Sequence, residues 1–339
     1  MNKKRVLAML LAGAMALSMT ACGGGNSAST DGSSNDGGAS ASGGSYKVSV
    51  ILKTLAAEYW QYVKSGAEDY ASEHSDKVTV EVKGPSSETA FDEMQNMIET
   101  DLSSGTYDGI VISPLQSDTA AQLVSGTKLP IVAIDTNFTA PEVKSFVGTG
   151  NEAAAKKGGE AAVEAAKAAG WTDIKCIEIA GVQGDQTNTA RMNGYKAGVE
   201  EAGGTFLSDE VQYADATADR ATTAMEAIMQ THPEGIAIIC ANNDDMAMAA
   251  ARAAKGNAAY AKTIFVGFDG IQSACNAILA GEETMSVAQE AYDMGYKAVE
   301  AAVKAVNGET LEKFIDSGCS VVTKDNAQER LDKLKGYIG

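Results

Sequence analysis

Tyr46-Lys-Val-Ser-Val-Ile-Leu-Lys-Thr54 is an apolar, β-branched run that passes through Leu55-Ala-Ala57 into Glu58-Tyr-Trp60. Such a run predicts a strand, and its continuation predicts a helix after a short turn, the opening half of a βαβ unit. The turn puts Lys53 and Thr54 at the strand's carboxyl end, with Tyr59 and Trp60 at the helix start. In open α/β sheets, ligands sit in the crevice outside the carboxyl ends of the strands. A cation, a hydroxyl and two amphipathic aromatics meeting there suit a polar molecule with an apolar face.

The same alternation continues along the chain. Short apolar runs at 47–52, 78–82, 109–112, 131–134, 145–147, 174–179, 211–213, 235–240, 263–268 and 284–287 predict strands. Between them, Tyr59, Tyr62, Val63, Gly66 and Tyr70 fall at helical spacing, as do Phe91, Met94, Met97, Ile98 and Leu102. Core packing is the expected role of these stripes, and of Met225 and Met229. Repeated β-α alternation predicts parallel sheets with helices on both faces. Two smaller sheets fit ten strands better than one, with the switch at Val147-Gly-Thr-Gly150. That stretch also reads Gly148-x-Gly150-x-x-Ala153, a weak dinucleotide fingerprint. A real fingerprint needs an acid ending the next strand, which instead runs into Ala180-Gly181, so a plain strand-to-helix turn is expected.

Composition narrows the class. The chain's 339 residues carry 45 acids against 27 bases, a net charge of −18, with no basic stripe beyond the N-terminus. This argues against nucleic acid as a partner. Lys3, Lys4 and Arg5 precede an apolar stretch from Val6 to Met19, which is short for a membrane span. Met19-Thr-Ala-Cys22 then resembles a bacterial lipobox, making residues 1–21 a lipoprotein signal and Cys22 the lipidated first residue. Gly23 to Ser45 contains only small and polar residues. Such a segment cannot bury enough surface to fold; as a coil it would span roughly 25–29 Å, a tether. Cys176, Cys240, Cys275 and Cys319 show no CxxC or metal spacing, and buried free thiols are expected.

The strand ends are polar almost throughout: Lys53-Thr54, Ser113, Asp135-Thr-Asn137, Gly184-Asp-Gln-Thr-Asn188 followed by Arg191, Asp215, Asn242-Asn-Asp244, Asp269 and Gln289. Planar amides, carboxylates and a guanidinium bind adjacent hydroxyls in bidentate fashion, while an aromatic covers a ring's C–H face. Asn243 and Asp269 would serve equally as helix N-caps, whereas Lys53, Arg191 and Gln289 are not favoured caps. Catalytic motifs are missing. His74 and His232 both precede strands, the wrong end for a cleft, and Gly-x-Ser-x-Gly, His-Glu-x-x-His and phosphate-loop patterns do not occur. Paired acids such as Asp135 and Asp269 leave acid–base chemistry open.

Taken in order, these stretches resemble the periplasmic sugar-binding proteins of the ribose, galactose and allose type that feed ABC importers. The matching residues are Val50-Ile-Leu-Lys-Thr-Leu55 with Tyr59-Trp60, Tyr107-Asp-Gly-Ile-Val-Ile-Ser-Pro-Leu115 and Pro130-Ile-Val-Ala-Ile-Asp135. They continue with Ala190-Arg191 before Gly194, Ala241-Asn-Asn-Asp-Asp-Met-Ala-Met248, Val266-Gly-Phe-Asp-Gly270 and Val287-Ala-Gln289. The resemblance implies two doubly wound parallel-sheet lobes joined by three crossings, the type I periplasmic binding protein fold. It places Lys53, Trp60, Asp135, Arg191, Asn243, Asp269 and Gln289 at sugar-contacting positions, with Tyr59 as the neighbouring aromatic. Lys53 resembles the allose branch, where ribose binders carry a small polar residue. Ala57-Glu58 stands where family members often have Asn-Pro, and Ala216 where an aromatic often closes the far side.

The expectation is therefore a receptor held outside the cytoplasmic membrane through Cys22, acting as a monomer without cofactor or metal. It would pass a neutral aldose such as allose or ribose to an ABC permease. The expected lobes are 46–148 plus 290–316 and 149–289 plus 317–339, with 22–45 as the lipidated tether. Two other readings stay open: a sugar-sensing input to a membrane receptor, and an exported enzyme acting on a glycoside. Lys53 could also meet an acidic ligand or pair with Glu58.

Overall fold

The computed structural model describes residues 45–338. The expected signal, the expected lipidation at Cys22 and all of the expected tether but its last residue lie outside the described residues. The first half of the chain runs β1 (Tyr46–Ile51), α1 (Glu58–Glu73), β2 (Val78–Lys83), α2 (Phe91–Ser104), β3 (Gly109–Ile112), α3 (Ser117–Leu123), β4 (Ile131–Ile134) and β5 (Val143–Gly148). It continues through α4 (Asn151–Ala168), β6 (Lys175–Ala180), α5 (Gln186–Glu201), β7 (Thr205–Phe206), β8 (Gln212–Tyr213), α6 (Ala218–Thr231), β9 (Ile238–Ala241) and α7 (Asp244–Ala254). The remainder is β10 (Ile264–Asp269), α8 (Gln272–Ala280), β11 (Met285–Gln289), α9 (Ala291–Val306), β12 (Phe314–Asp316), β13 (Cys319–Val322) and α10 (Ala327–Ile338).

The strands form two sheets. One has the order β12-β5-β4-β3-β1-β2, the other β13-β11-β10-β9-β6-β7 with β8 also paired to β6. All pairings are parallel except β11 with β13. Central strands β3, β4, β9, β10 and β11 are buried at every residue, because helices cover both faces of their sheets. β2, at an edge, alternates in burial. The sequence expectation missed β7, β12 and β13. Each is only two to four residues long, and β12 and β13 carry exposed positions instead of an apolar run. The strand expected from Gly235 starts its ladder only at Ile238, since Gly235 turns the chain with φ 97°.

The chain passes between sheets three times: after Gly148, after Gln289 and between Asp316 and Cys319. Two passages touch, as Ser317 N–H donates to Gly148 O at 2.8 Å and the Thr149 and Ser317 hydroxyls lie 3.3 Å apart. The third is gripped by Arg330 of α10, which donates to Gly270 O at 3.1 Å, to Glu290 Oε1 at 2.8 Å and to Gln289 O. α10 packs on α8 and, at its far end, stacks Tyr337 on Tyr292 of α9 with ring centroids 4.0 Å apart.

In the first lobe α1 lies directly on α9. The predicted stripe Tyr59, Tyr62, Val63, Gly66 and Tyr70 is buried there. Two glycines permit the approach: a Cβ on Gly66 would sit 2.0 Å from Tyr292 O, and one on Gly295 1.9 Å from Val63 O. Cys176, Cys240 and Cys275 are buried free thiols, while Cys319 is only partly covered because β13 is an edge strand.

Candidate functional site

The carboxyl ends of both sheets face one cleft, with an envelope of about 590 Å³ counting its mouth. β1 ends into Lys53, which is buried and paired with Asp185 Oδ2 at 2.5 Å. Asp185 comes from the other lobe, where its second oxygen caps α5 by accepting from Asn188 N–H at 2.8 Å. Lys53 thus pairs neither with Glu58 nor with open solvent. Burial works against its charge, but Asp185, Glu88 and Asp135 outweigh that and hold its pKa above the ordinary lysine value. Burial likewise opposes ionisation of Asp185, and Lys53 overrides it, keeping that carboxyl below the usual range. Removing either partner would strand a buried charge, at a cost of about 3–5 kcal/mol.

The aromatics of α1 follow. Tyr59 and Trp60 meet edge to face, centroids 4.9 Å apart. The Tyr59 hydroxyl donates to Asp135 Oδ1 at 2.8 Å, and Trp60 Nε1 donates to Glu88 Oε1 at 3.0 Å, which fixes the indole. Burial pushes the Glu88 carboxyl up, and Lys53 opposes the shift. Glu88 sits in the loop after β2, a strand end not read as polar in the sequence. Position rather than motif would have revealed it.

Asp135 and Asp269 end β4 and β10 with positive φ, 61° and 115°, a region that costs non-glycine residues about 1–3 kcal/mol. Asp135 Oδ2 also accepts from Thr136 Oγ1 at 3.0 Å, and Thr136 meets Thr187 of the other lobe at 2.8 Å. The Arg191 guanidinium lies over the Phe268 ring, its Cζ 3.8 Å from the centroid. Its Nε donates to Asn151 Oδ1 at 2.8 Å and Nη1 to Asn242 O at 2.7 Å, leaving Asp269 Oδ1 at 3.7 Å. Burial raises the Asp269 carboxyl well above the usual range despite Arg191.

Gln289, expected at the ligand, is fully buried and does not line the cleft. It reaches the site through Asp269, whose Oδ1 accepts from Gln289 Nε2 at 2.8 Å. Asn243 does line the cleft and is also the N-cap of α7, accepting from Met246 N–H at 2.9 Å, while its amide donates to Ala216 O at 3.2 Å. The capping and the cleft-lining readings of this residue therefore both hold. The structure brings Lys53, Tyr59, Trp60, Asp135, Arg191, Asn243 and Asp269 onto one wall system and adds Glu88, Asp185, Asn188, Asn242 and Asp245. Asp185, Asn188 and Asn242 lay within the polar strand ends, whereas Asp245 carried no separate signal. The lining acids Glu88, Asp135, Asp185, Asp245 and Asp269 outnumber the cations Lys53 and Arg191. Among the described residues no group of three His, Cys, Asp or Glu side chains converges as a metal would require.

A family profile described as a periplasmic binding protein domain matches residues 48–310. The D-allose-binding periplasmic protein of Escherichia coli is 31% identical over 266 residues, covering 76% of this chain and 83% of that protein. The ribose import binding protein of Salmonella typhimurium is 27% identical, covering 78% and 86%. A solved carbohydrate transporter solute binding protein from Agrobacterium radiobacter, in complex with D-arabinose, superposes with a TM-score of 0.78 at 25% identity, covering 87% of this chain and 99% of that one. An ABC transporter solute binding protein from Agrobacterium vitis with bound D-fucose gives 0.75 at 25% identity, covering 86% and 100%. These relatives are binding proteins, not enzymes.

Proposed function

Since the chain belongs to the periplasmic binding protein domain family, we propose that it captures a neutral monosaccharide between its two lobes and delivers it to an ABC permease. The lobes of this reading are residues 46–148 plus 290–316 and 149–289 plus 317–339, turning about the three passages. The lipobox and tether support anchoring to the membrane through Cys22. One observation carries the ligand reading: amide, carboxylate and guanidinium groups from both sheets converge on a cleft beside the fixed Trp60 ring.

In this reading Lys53 and Asp135 address hydroxyls from one side, with Tyr59 steadying Asp135. Arg191, Asn243 and Asp269 take the opposite edge, and Gln289 orients Asp269 from the hinge. The charge balance of the cleft disfavours an acidic ligand: Asp185 already neutralises Lys53, which leaves Arg191 alone to meet an added negative charge beside Asp135 in a site of reduced dielectric. The allose and ribose named for the curated relatives, and the arabinose and fucose of the solved ones, set the first compounds to try.

The test is a thermal-shift screen of aldopentoses, aldohexoses, polyols and sugar acids. A neutral aldose is expected to raise the melting temperature, and Asp269→Ala to abolish most of that rise. Loss of a buried hydrogen-bond partner at about 1–3 kcal/mol corresponds to roughly a 5- to 150-fold weaker affinity. Stabilisation by sugar acids alone would overturn the neutral-sugar reading.

A further inference from the structure

Glu58 is the first residue of α1, lies beside the cleft-lining Tyr59, and does not itself line the cleft. Its carboxylate is turned toward the other lobe. Oε1 accepts the backbone N–H of Gln272 at 2.7 Å and Oε2 accepts the Ser273 hydroxyl at 2.6 Å. Gln272 and Ser273 open α8, which connects β10 to β11 of the second sheet. A helix start exposes unpaired N–H groups and a partial positive charge, and a carboxylate there satisfies both. The residue in α8's own cap position, Ile271, offers no side-chain acceptor. The first lobe therefore supplies the cap that the sequence of α8 lacks. Tyr62, one turn along α1, donates to Glu58 Oε1 at 2.8 Å and holds the carboxylate in place.

Of the other bonds that join the lobes, Ser317 with Gly148, Arg330 and Lys333 with Glu290, and Ser65 with Tyr337 lie at the chain passages and along α10, and two more lie at the cleft. Lys53 with Asp185 and Thr136 with Thr187 use cleft groups, which a bound molecule would engage or displace. The Glu58 contacts compete with nothing in the cleft. From this geometry we propose that Glu58 is a latch: it caps α8 only when the lobes close, and so sets ligand affinity without touching the ligand. The latch rests on the capture reading above. Closure and ligand binding are linked, so a bond made only in the closed form slows release and tightens binding by the same factor.

The experiment measures sugar release by stopped flow, using full-length protein and the aldose that most stabilises it. Glu58→Ala is expected to release that sugar about tenfold faster with the association rate little changed, a coupling of ordinary size. Glu58→Gln keeps an acceptor without the charge and should fall between, and Ser273→Ala should show a smaller rise. Release from folded Glu58→Ala within twofold of wild type would overturn the latch. If Glu58→Ala does not fold, unchanged release from both Glu58→Gln and Ser273→Ala overturns it equally. Wild-type protein that no sugar stabilises would contradict the capture reading instead. The latch, which rests on that reading, would fall with it.

Discussion

Glu178 has no solvent exposure, and only one of its carboxyl oxygens meets a donor, Asn242 Nδ2 at 2.7 Å. Burial pushes this carboxyl up to about 8, against the opposing pull of Asn242 and Arg191. The unfolded chain ionises it near 4.5, so the folded state holds the extra proton between those limits. Stability from this group is complete below the unfolded value and is lost as pH rises through about 8. Asp244, raised by burial to about 7, acts in the same direction. Calorimetry is therefore expected to show the melting temperature falling between pH 5 and pH 8.5. Glu178→Gln removes its part of that fall, on the order of a few kcal/mol. Parallel pH profiles for the variant and wild type would contradict this. Residues of this kind are hidden in sequence: Glu178 sits inside Lys175-Cys-Ile-Glu-Ile-Ala180, where a lone acid looks like an exposed strand position. Parallel sheets bury both faces, so the alternation rule does not apply there.

At the scale of elements, the alternation of apolar runs was enough to recover ten strands and the two-sheet division, because buried central strands are continuous apolar stretches. The short edges β7, β12 and β13 bury too little to leave such a mark. The cleft followed from topology. Residues at strand carboxyl ends converge, so Lys53, Asp135, Arg191, Asn243 and Asp269 were legible while their pairing was not. Only the fold shows that Lys53 meets Asp185, 132 positions away, or that Gln289 stands behind Asp269. Helix contact likewise depends on residues that reveal little in sequence. Gly295 sits against the Val63 carbonyl, and the backbone has no room for a methyl group. Gly295→Ala is expected to destabilise by about 1–3 kcal/mol through overpacking, outweighing any gain in helix propensity. Thermal melting checks this, and an unchanged or higher melting temperature would show that α1 and α9 can separate freely.

For the molecule as a whole, the tether expected at 22–45 ends where β1 begins, so anchoring and ligand capture should be separable. Cys22→Ser is expected to move the protein from the membrane to the soluble fraction with its sugar affinity intact; weakened binding in the released form would place part of the receptor within the tether. The central claim is that two lobes, crossed three times by the chain, close around a sugar. Small-angle X-ray scattering of the soluble protein with and without a saturating aldose tests it most directly. The account predicts a smaller radius of gyration and a shorter maximum dimension when the sugar is bound. Superimposable profiles at proven saturation would contradict it.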